Sequence, residues 1–262
     1  MKVLQFIGTK DKADFSLYFA NVLSLLGKRV LIVDATTNQI YRNGYALLSE
    51  NETIGDIQNV EILTRAKDWS EVEYELNKVG LKPENFDCII IDLDSIQAVT
   101  ASWPIVHDHY YLSDADRVHI TMDIHLLNRL FDEYETTTIK RIHFESAFTL
   151  SEDYLDLLMN GRPQWHGFSQ SVEYDDFEER LRLQMQHEQI IPLKQLSKSM
   201  RTTIESIVSE EFEIALSEIY KVTNKSFFGQ FIKPKKIKAV EDSKIENEIN
   251  SFSKKTKEIT ES

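Results

Sequence analysis

The residues of this chain that are best placed to do chemistry form the segment Lys10-Asp11-Lys12-Ala13-Asp14-Phe15-Ser16-Leu17. It follows a strand-like apolar run at residues 3–7 and precedes a helical pattern, which is the setting of a phosphate-binding loop. Such a loop needs glycines, so that the backbone can approach the phosphate, and a lysine to balance its charge. Two aspartates and a phenylalanine stand there instead. The segment therefore predicts the outline of a nucleotide site without the chemistry of one.

Three further groups at the same edge have the chemistry of a magnesium site. Asp34 and Asp92 each end a continuous apolar run, and Ser16 begins the helix after the loop. The carboxyl ends of parallel strands meet at one edge of a sheet, so we expect the three side chains there. The alternative is structural, with the acids accepting hydrogen bonds from loop amides and Ser16 capping the helix. Without a phosphate holder, the structural interpretation is favoured.

The elements that must position these residues alternate along the chain. Continuous apolar runs predict strands buried on both faces, and stripes recurring every three or four residues predict helices packed on them. The alternation predicts an α/β fold with a doubly wound, mostly parallel sheet and helices on both faces. The predicted strands are 3–7, 29–34, 60–63, 88–92, 109–112, 139–144 and 167–172, and the helical stripes begin at Phe15, Trp69, Ile120, Leu181 and Met200.

Composition limits the classes of function. The chain has 262 residues with a formal net charge of −13, which argues against nonspecific DNA binding and suits basic protein partners. No apolar stretch approaches the roughly 20 residues of a membrane span, and the first residues indicate a strand rather than a signal peptide. A cytoplasmic location follows as an expectation. The single cysteine, Cys88, lies in an apolar run and is expected to be buried.

The last part of the chain has a different composition. We expect one α/β domain over residues 1–224 and a charged, flexible tail over 225–262. The tail begins with a segment that suits either weak peripheral contact with the inner face of a membrane or simple packing on the domain. Its apolar and basic residues are Phe227, Phe228, Phe231, Lys233, Lys235 and Lys236.

Histidines offer one pattern that resembles metal binding. His107 and His109 would lie on one face of a strand, but no cysteine or third ligand is close in sequence. An incidental pair is the favoured interpretation, and no metal site is predicted.

Several motifs together resemble the MinD/ParA group of deviant phosphate-loop ATPases, whose loop reads K-G-G-x-G-K-[ST]-T. Lys10 matches the signature lysine of that group and Ser16 its magnesium-ligating hydroxyl. Residues 34–38 resemble its D-x-D-P-Q motif, 86–92 its Walker B strand and 172–175 its I-P-Y-D turn. The resemblance implies the fold, a vestigial cofactor site at Lys10, Ser16, Asp34 and Asp92, and dimerisation across the loop.

The departures from that pattern fall where catalysis would occur. Losing one preorganised donor raises a barrier by about 3–4 kcal/mol, and two like charges about 4 Å apart repel by about 4 kcal/mol at an effective dielectric of about 20. We therefore expect no ATP hydrolysis and weak or no ATP binding. The altered positions are Asp11, Lys12 and Asp14 for the glycines, Phe15 for the lysine, Thr36 for the second acid of D-x-D, and Glu145 for the asparagine over the base.

The site residues have both a functional and a structural interpretation. Phe15 is expected to fill the ligand space. Lys10 and Lys12 are expected to be solvated and paired with Asp11 or Asp14, the alternative being that Lys10 reaches an anion across a dimer. If a homodimer forms without nucleotide, Lys12 and Asp14 are expected to replace the ligand charge across its interface.

The function predicted from sequence is a non-catalytic pseudo-ATPase with no cofactor, acting as a scaffold or positioning adaptor. Its partners would be proteins of a pilus, secretion or conjugation assembly. One alternative is a nucleotide-dependent dimerising switch that uses ATP and magnesium. Another is a DNA-partition protein, which the acidic charge disfavours.

Overall fold

A computed structural model describes residues 1–46, 48–134, 138–148, 150–151, 153–167 and 169–224. The strands are β1 Lys2–Ile7, β2 Val30–Asp34, β3 Ile54–Ile57, β4 Val60–Thr64, β5 Cys88–Leu93, β6 Asp108–Ser113, β7 Lys140–Phe144 and β8 Gln170–Val172. They form one sheet in the order β3-β4-β2-β5-β1-β6-β7-β8. Among these described strands, β3 and β4 are antiparallel and the other neighbours are parallel.

Helices cover both faces of the sheet, and each face has its own core. The helices are α1 Ala13–Leu25, α2 Ile40–Gly44, α3 Trp69–Lys78, α4 Ile96–Val99, α5 Arg117–Glu133, α6 Tyr154–Leu158, α7 Asp176–Glu188, α8 Lys198–Phe212 and α9 Leu216–Asn224. One core holds α1, α7, α8 and α9 against residues such as Phe6 and Ile32, and the other holds α3, α5 and α6 against residues such as Val33 and Ile91.

Strands β1, β2 and β5 lie at the centre and bring the candidate residues together. Asp34 is in register with Asp92 on the neighbouring strand. Gly8 follows β1 with φ +142°, and a Cβ there would lie 2.4 Å from the carbonyl oxygen of Leu112. Only glycine allows the chain to leave the sheet so close to β6.

The fold predicted from sequence is confirmed, and each predicted strand has a counterpart. The last strand is shorter than predicted, because Gly167 takes a left-handed φ of +73° and β8 begins at Gln170. Strand β3, the short helices α2, α4 and α6, and helix α9 were not predicted. All described elements belong to one compact unit, Met1–Lys225, and the tail residues named above lie outside the described residues.

Candidate functional site

The side chain that lies inside the loop is Lys12. Its Nζ donates to the carbonyl oxygen of Gly8 at 2.7 Å and lies 2.6 Å from Oδ1 of Asp92. Only 1% of Lys12 is exposed. An ammonium group of the chain itself therefore contacts one of the two carboxylates that were considered from the sequence as magnesium ligands.

Other groups of the chain satisfy the remaining oxygens of the two acids. Asp92 Oδ2 accepts from the hydroxyl of Tyr41 at 2.7 Å. Asp34 Oδ1 accepts from the amide and hydroxyl of Thr36, and its Oδ2 accepts from the amide of Tyr41 at 3.0 Å. Burial raises the pKa of Asp34 to about 6, and it raises the pKa of Asp92 against the opposing effect of Lys12. Internal contacts thus occupy the oxygens that would ligate a cation.

Ser16 lies next to this pair but has a different role from the predicted cap. Its hydroxyl donates to the carbonyl oxygen of Lys12 at 3.0 Å, one turn back in the helix. The capping prediction was therefore wrong. Ser16, Asp34 and Asp92 are all fully buried.

The two loop lysines lie in different surroundings, and only Lys12 contradicts its prediction. Lys12 was predicted to be solvated and paired with Asp11 or Asp14, and this is wrong because the side chain is buried against Asp92. Its ammonium is consequently unable to reach across a dimer interface in this conformation. Lys10 is partly exposed, donates to the carbonyl oxygen of Asp11 at 2.8 Å and lies 4.3 Å from the centroid of the Phe144 ring.

Phe15 packs into the core of the α1 face. Its ring centroid lies 5.9 Å from that of Phe6 and 5.7 Å from that of Phe144. The group next to Asp92 is thus Lys12, whereas the sequence had placed Phe15 in the ligand space. The aromatic cluster anchors the first turn of α1.

An open cleft of about 700 Å³ borders the loop at the carboxyl ends of β6, β7 and β8. Nine carboxylates and two permanent cations, Lys10 and Arg182, line it, so its walls are strongly acidic. Ser16, Asp34 and Asp92 are not on these walls, which separates the cleft from the buried pair. The carboxylates are those of Asp11, Asp14, Asp114, Asp116, Glu145, Glu173, Asp175, Glu178 and Glu179.

Glu145 distinguishes the cleft from the pocket that holds the nucleotide base in the resembling group. It stands where the resembling group has its asparagine, and here its Oε1 accepts from the hydroxyl of Ser171 at 2.7 Å. Sequence reasoning found this substitution but missed Tyr41 and Arg182. No sequence motif includes either residue, because Tyr41 lies in α2 and Arg182 lies in α7.

The histidine pair is not arranged as a metal clip. His107 Nδ1 accepts from the amide of Val3 at 3.1 Å, and burial lowers the pKa of His109 to about 4. Within the described ranges, no three metal-ligating side chains converge on one point. In the same part of the chain, no helix combines the length and apolar character needed to span a bilayer.

Comparison with known proteins gives structural neighbours only. No family model matches the chain, and no curated protein matches it. The structure is similar to MinD, a cell division protein of Aquifex aeolicus, with 13% identity, a TM-score of 0.52 and coverage of 86% of this chain and 98% of that one. The MinC:MinD complex of the same organism gives a TM-score of 0.51 at 12% identity, with coverage of 86% and 97%.

Two further solved structures are similar to this chain. An ATP complex of McdA from Cyanothece has 16% identity and a TM-score of 0.53, covering 82% of this chain and 97% of that one. Cobyrinic acid a,c-diamide synthase from Mycobacterium smegmatis has 14% identity and a TM-score of 0.50, with coverage of 80% and 94%.

These neighbours show the fold alone: the chain has the α/β P-loop NTPase fold seen in MinD and McdA. The same fold carries a cell division protein and a synthase. Function must therefore be argued from the residues of the site.

Proposed function

We propose that this chain is a non-catalytic protein of MinD/ParA-like fold that acts as a scaffold or positioning adaptor. The observation that carries the proposal is the buried ion pair between Lys12 and Asp92, with Nζ and Oδ1 2.6 Å apart. In this conformation the chain supplies its own cation at the position where the resembling group binds magnesium.

The energy needed to open the site supports this proposal. Magnesium on Asp92 requires Lys12 to leave, and breaking one side of a buried ion pair costs about 3–5 kcal/mol. A bound nucleotide would have to supply that energy without the lysine that Phe15 replaces. The nine carboxylates of the adjoining cleft oppose a polyanion further.

Action through protein partners is the second part of the proposal. Among the similar structures, MinD is found in a complex with MinC. By analogy, this chain would position proteins of a larger assembly, of pilus, secretion or conjugation type, as a monomer or as a dimer that forms without nucleotide. Peripheral membrane contact through residues 225–238 is part of the same proposal.

Calorimetric titration of the full chain with Mg-ATP, alongside a phosphate-release assay, tests the loss of catalysis. We expect no binding heat up to millimolar nucleotide and no release above buffer. A matched variant that restores the loop, with Asp11, Lys12 and Asp14 changed to glycine and Phe15 to lysine, serves as the comparison. Micromolar affinity or turnover in the unmodified chain would refute the proposal.

A nucleotide-dependent switch is the second candidate, because Asp34 and Asp92 remain in register at the ends of β2 and β5. It requires Lys12 to move out when Mg-ATP arrives. Light scattering distinguishes the two candidates, since the switch predicts a dimer that appears only with Mg-ATP.

A further inference from the structure

The acidic cleft has more negative charge than its own cations neutralise. Nine carboxylates face two cations across it. Both cations are already engaged: Arg182 Nη2 lies 2.6 Å from Oε1 of Glu179, and Lys10 donates to the carbonyl oxygen of Asp11 at 2.8 Å. Asp114 lies 2.9 Å from Nδ1 of His119, and Asp11 lies 3.8 Å from Nη1 of Arg182. The other six acids form no ion pair with a described residue and are available to an external cation.

Asp14 is the most deeply buried of the carboxylates that line the cleft. Only 9% of the residue is exposed, yet it lines the cleft and forms no ion pair with any described residue. Its Oδ1 accepts from the amide of Phe15 at 2.7 Å, and no described group donates to Oδ2. Burial raises the pKa of Asp14, and Lys10 and Arg182, which lie beyond ion-pair distance, only partly oppose that effect. A cation in direct contact would therefore stabilise this carboxylate.

Glu178 repeats this arrangement on the opposite element, α7. Its Oε1 accepts from the amide of Ser197 at 2.8 Å, whereas its buried Oε2 has no partner among the described residues. Asp14 and Glu178 both line the cleft, and each thus has one carboxylate oxygen that accepts no hydrogen bond from a described residue.

The shape of the cleft favours an extended ligand over a single ion. Its acids are spread around an open volume of about 700 Å³, and the described residues contain no convergent set of three metal ligands. Phe144 and Tyr174 also line it, and aromatic faces accept the stems and charged heads of lysine and arginine. A chain with several such side chains fits both features.

We propose that this cleft binds a lysine- or arginine-rich segment of a partner protein, with basic side chains directed at Asp14 and Glu178. The inference rests on the proposed function in one respect, which is that nucleotide does not compete for the cleft. It adds to that function the chemistry of the partner.

Fluorescence anisotropy with the full chain and a labelled ten-residue peptide of alternating lysine and alanine tests the inference. We expect saturable binding that weakens as salt rises. Removing one partner of a close charge pair across an interface weakens binding strongly, so the Asp14→Asn/Glu178→Gln variant should bind at least roughly tenfold more weakly. Circular dichroism confirms that the variant is folded.

Two further variants separate the cleft from the overall charge. Glu145→Gln/Glu173→Gln changes exposed residues of the cleft and should also weaken binding, which keeps the test open if the first variant fails to fold. Glu73→Gln/Glu84→Gln removes the same charge from exposed positions outside the cleft and should bind like the unmodified chain. Equal weakening in all three variants would refute a specific site.

Other outcomes are equally decisive. The inference is overturned if the peptide does not bind, if a glutamate–alanine peptide binds as tightly, or if spermidine binds where the peptide does not. Mg-ATP is titrated in parallel, so that the two proposals fail separately. Nucleotide binding refutes the proposed function, whereas a chain that ignores both Mg-ATP and the peptide refutes only the basic partner.

Discussion

Lys12 determines the state of the loop through a single side chain. The loop lysine of a nucleotide site faces a ligand, whereas Lys12 folds back to within 2.6 Å of Asp92 and is shielded from water. Desolvating both charges is expensive, and the close contact with Gly8 and Asp92 offsets that cost only while both partners remain.

Replacing Lys12 by methionine tests this dependence. Lys12→Met leaves the Asp92 carboxylate buried without its counter-charge, so we expect the free energy of unfolding at pH 7 to fall by about 3–5 kcal/mol. Urea denaturation measures it. The double variant Lys12→Met/Asp92→Asn should regain most of the loss, and Lys82→Met, at an exposed position, should lose little. An unchanged urea midpoint for Lys12→Met contradicts the assignment.

Residues at strand ends were more predictable from sequence than residues in loops. Asp34 and Asp92 were placed correctly because continuous apolar runs fix where the strands stop. The direction of Lys12 was not predictable, because it depends on the path of Gly8 past Leu112 and on a carboxylate 80 positions away in the chain. Long-range contacts of this kind leave no local pattern.

At the scale of elements, the exit of the chain from β1 depends on one glycine. Gly8→Ala would place a Cβ 2.4 Å from a backbone oxygen of β6 at a φ of +142°, so we expect a loss of about 3 kcal/mol or more. Gly80→Ala is the matched control. Its φ is also positive, +75°, but no atom lies within 4 Å of the added Cβ, and a loss of about 1 kcal/mol is expected. Thermal unfolding compares them, and equal losses would argue against the clash.

The amino ends of the strands are joined to α8 through Glu211. Its carboxylate lies 2.6 Å from Lys2 Nζ and 2.5 Å from Lys140 Nζ, and it accepts from the hydroxyl of Tyr110. Burial alone would raise the pKa of Glu211, but the hydrogen bonds from Lys140, Lys2 and Tyr110 outweigh it and lower the pKa to about 2. The ionised form is therefore the stabilising one.

The lowered pKa of Glu211 determines how the stability of the fold changes with pH. A carboxyl whose pKa is lower in the folded state contributes stability above its unfolded value, near 4.5, and loses that contribution as pH falls toward 2. We expect Glu211→Gln to cost about 2 kcal/mol at pH 7, after allowance for solvent screening, and only a small fraction of that at pH 2. Urea denaturation of both proteins across that range measures the difference. If the difference in unfolding free energy between the two proteins does not change with pH, the ionisation of Glu211 is not its cause.

Sequence periodicity predicted the long elements because each buries a wide apolar stripe or run. It missed β3, whose Ile54-Gly55-Asp56-Ile57 is too short for a clear alternation and pairs only at the sheet edge. It missed α2 as well, a five-residue helix that supplies Tyr41 to the site. Short elements depend on tertiary contacts, and the acidic cleft assembled from loops after three strands was invisible for the same reason.

At the scale of the whole molecule, the net charge of −13 should determine which macromolecules the protein attracts and which it repels. The field repels nucleic acid and attracts basic surfaces. We expect the full chain to pass through immobilised double-stranded DNA unretained at about 0.15 M salt, where the Debye length is about 8 Å. The same chain at lower salt serves as the control for weak binding. Retention at the higher salt would favour the partition alternative.

A cation that is covalently part of the polypeptide cannot be removed by a chelator or diluted by dialysis. If the proposed function holds, the contact between Lys12 and Asp92 would make the conformation of the loop independent of cellular magnesium and of the ratio of ATP to ADP. A protein built in this way would respond to how much of it is made and to which proteins surround it, and it would keep working when the energy supply of the cell falls.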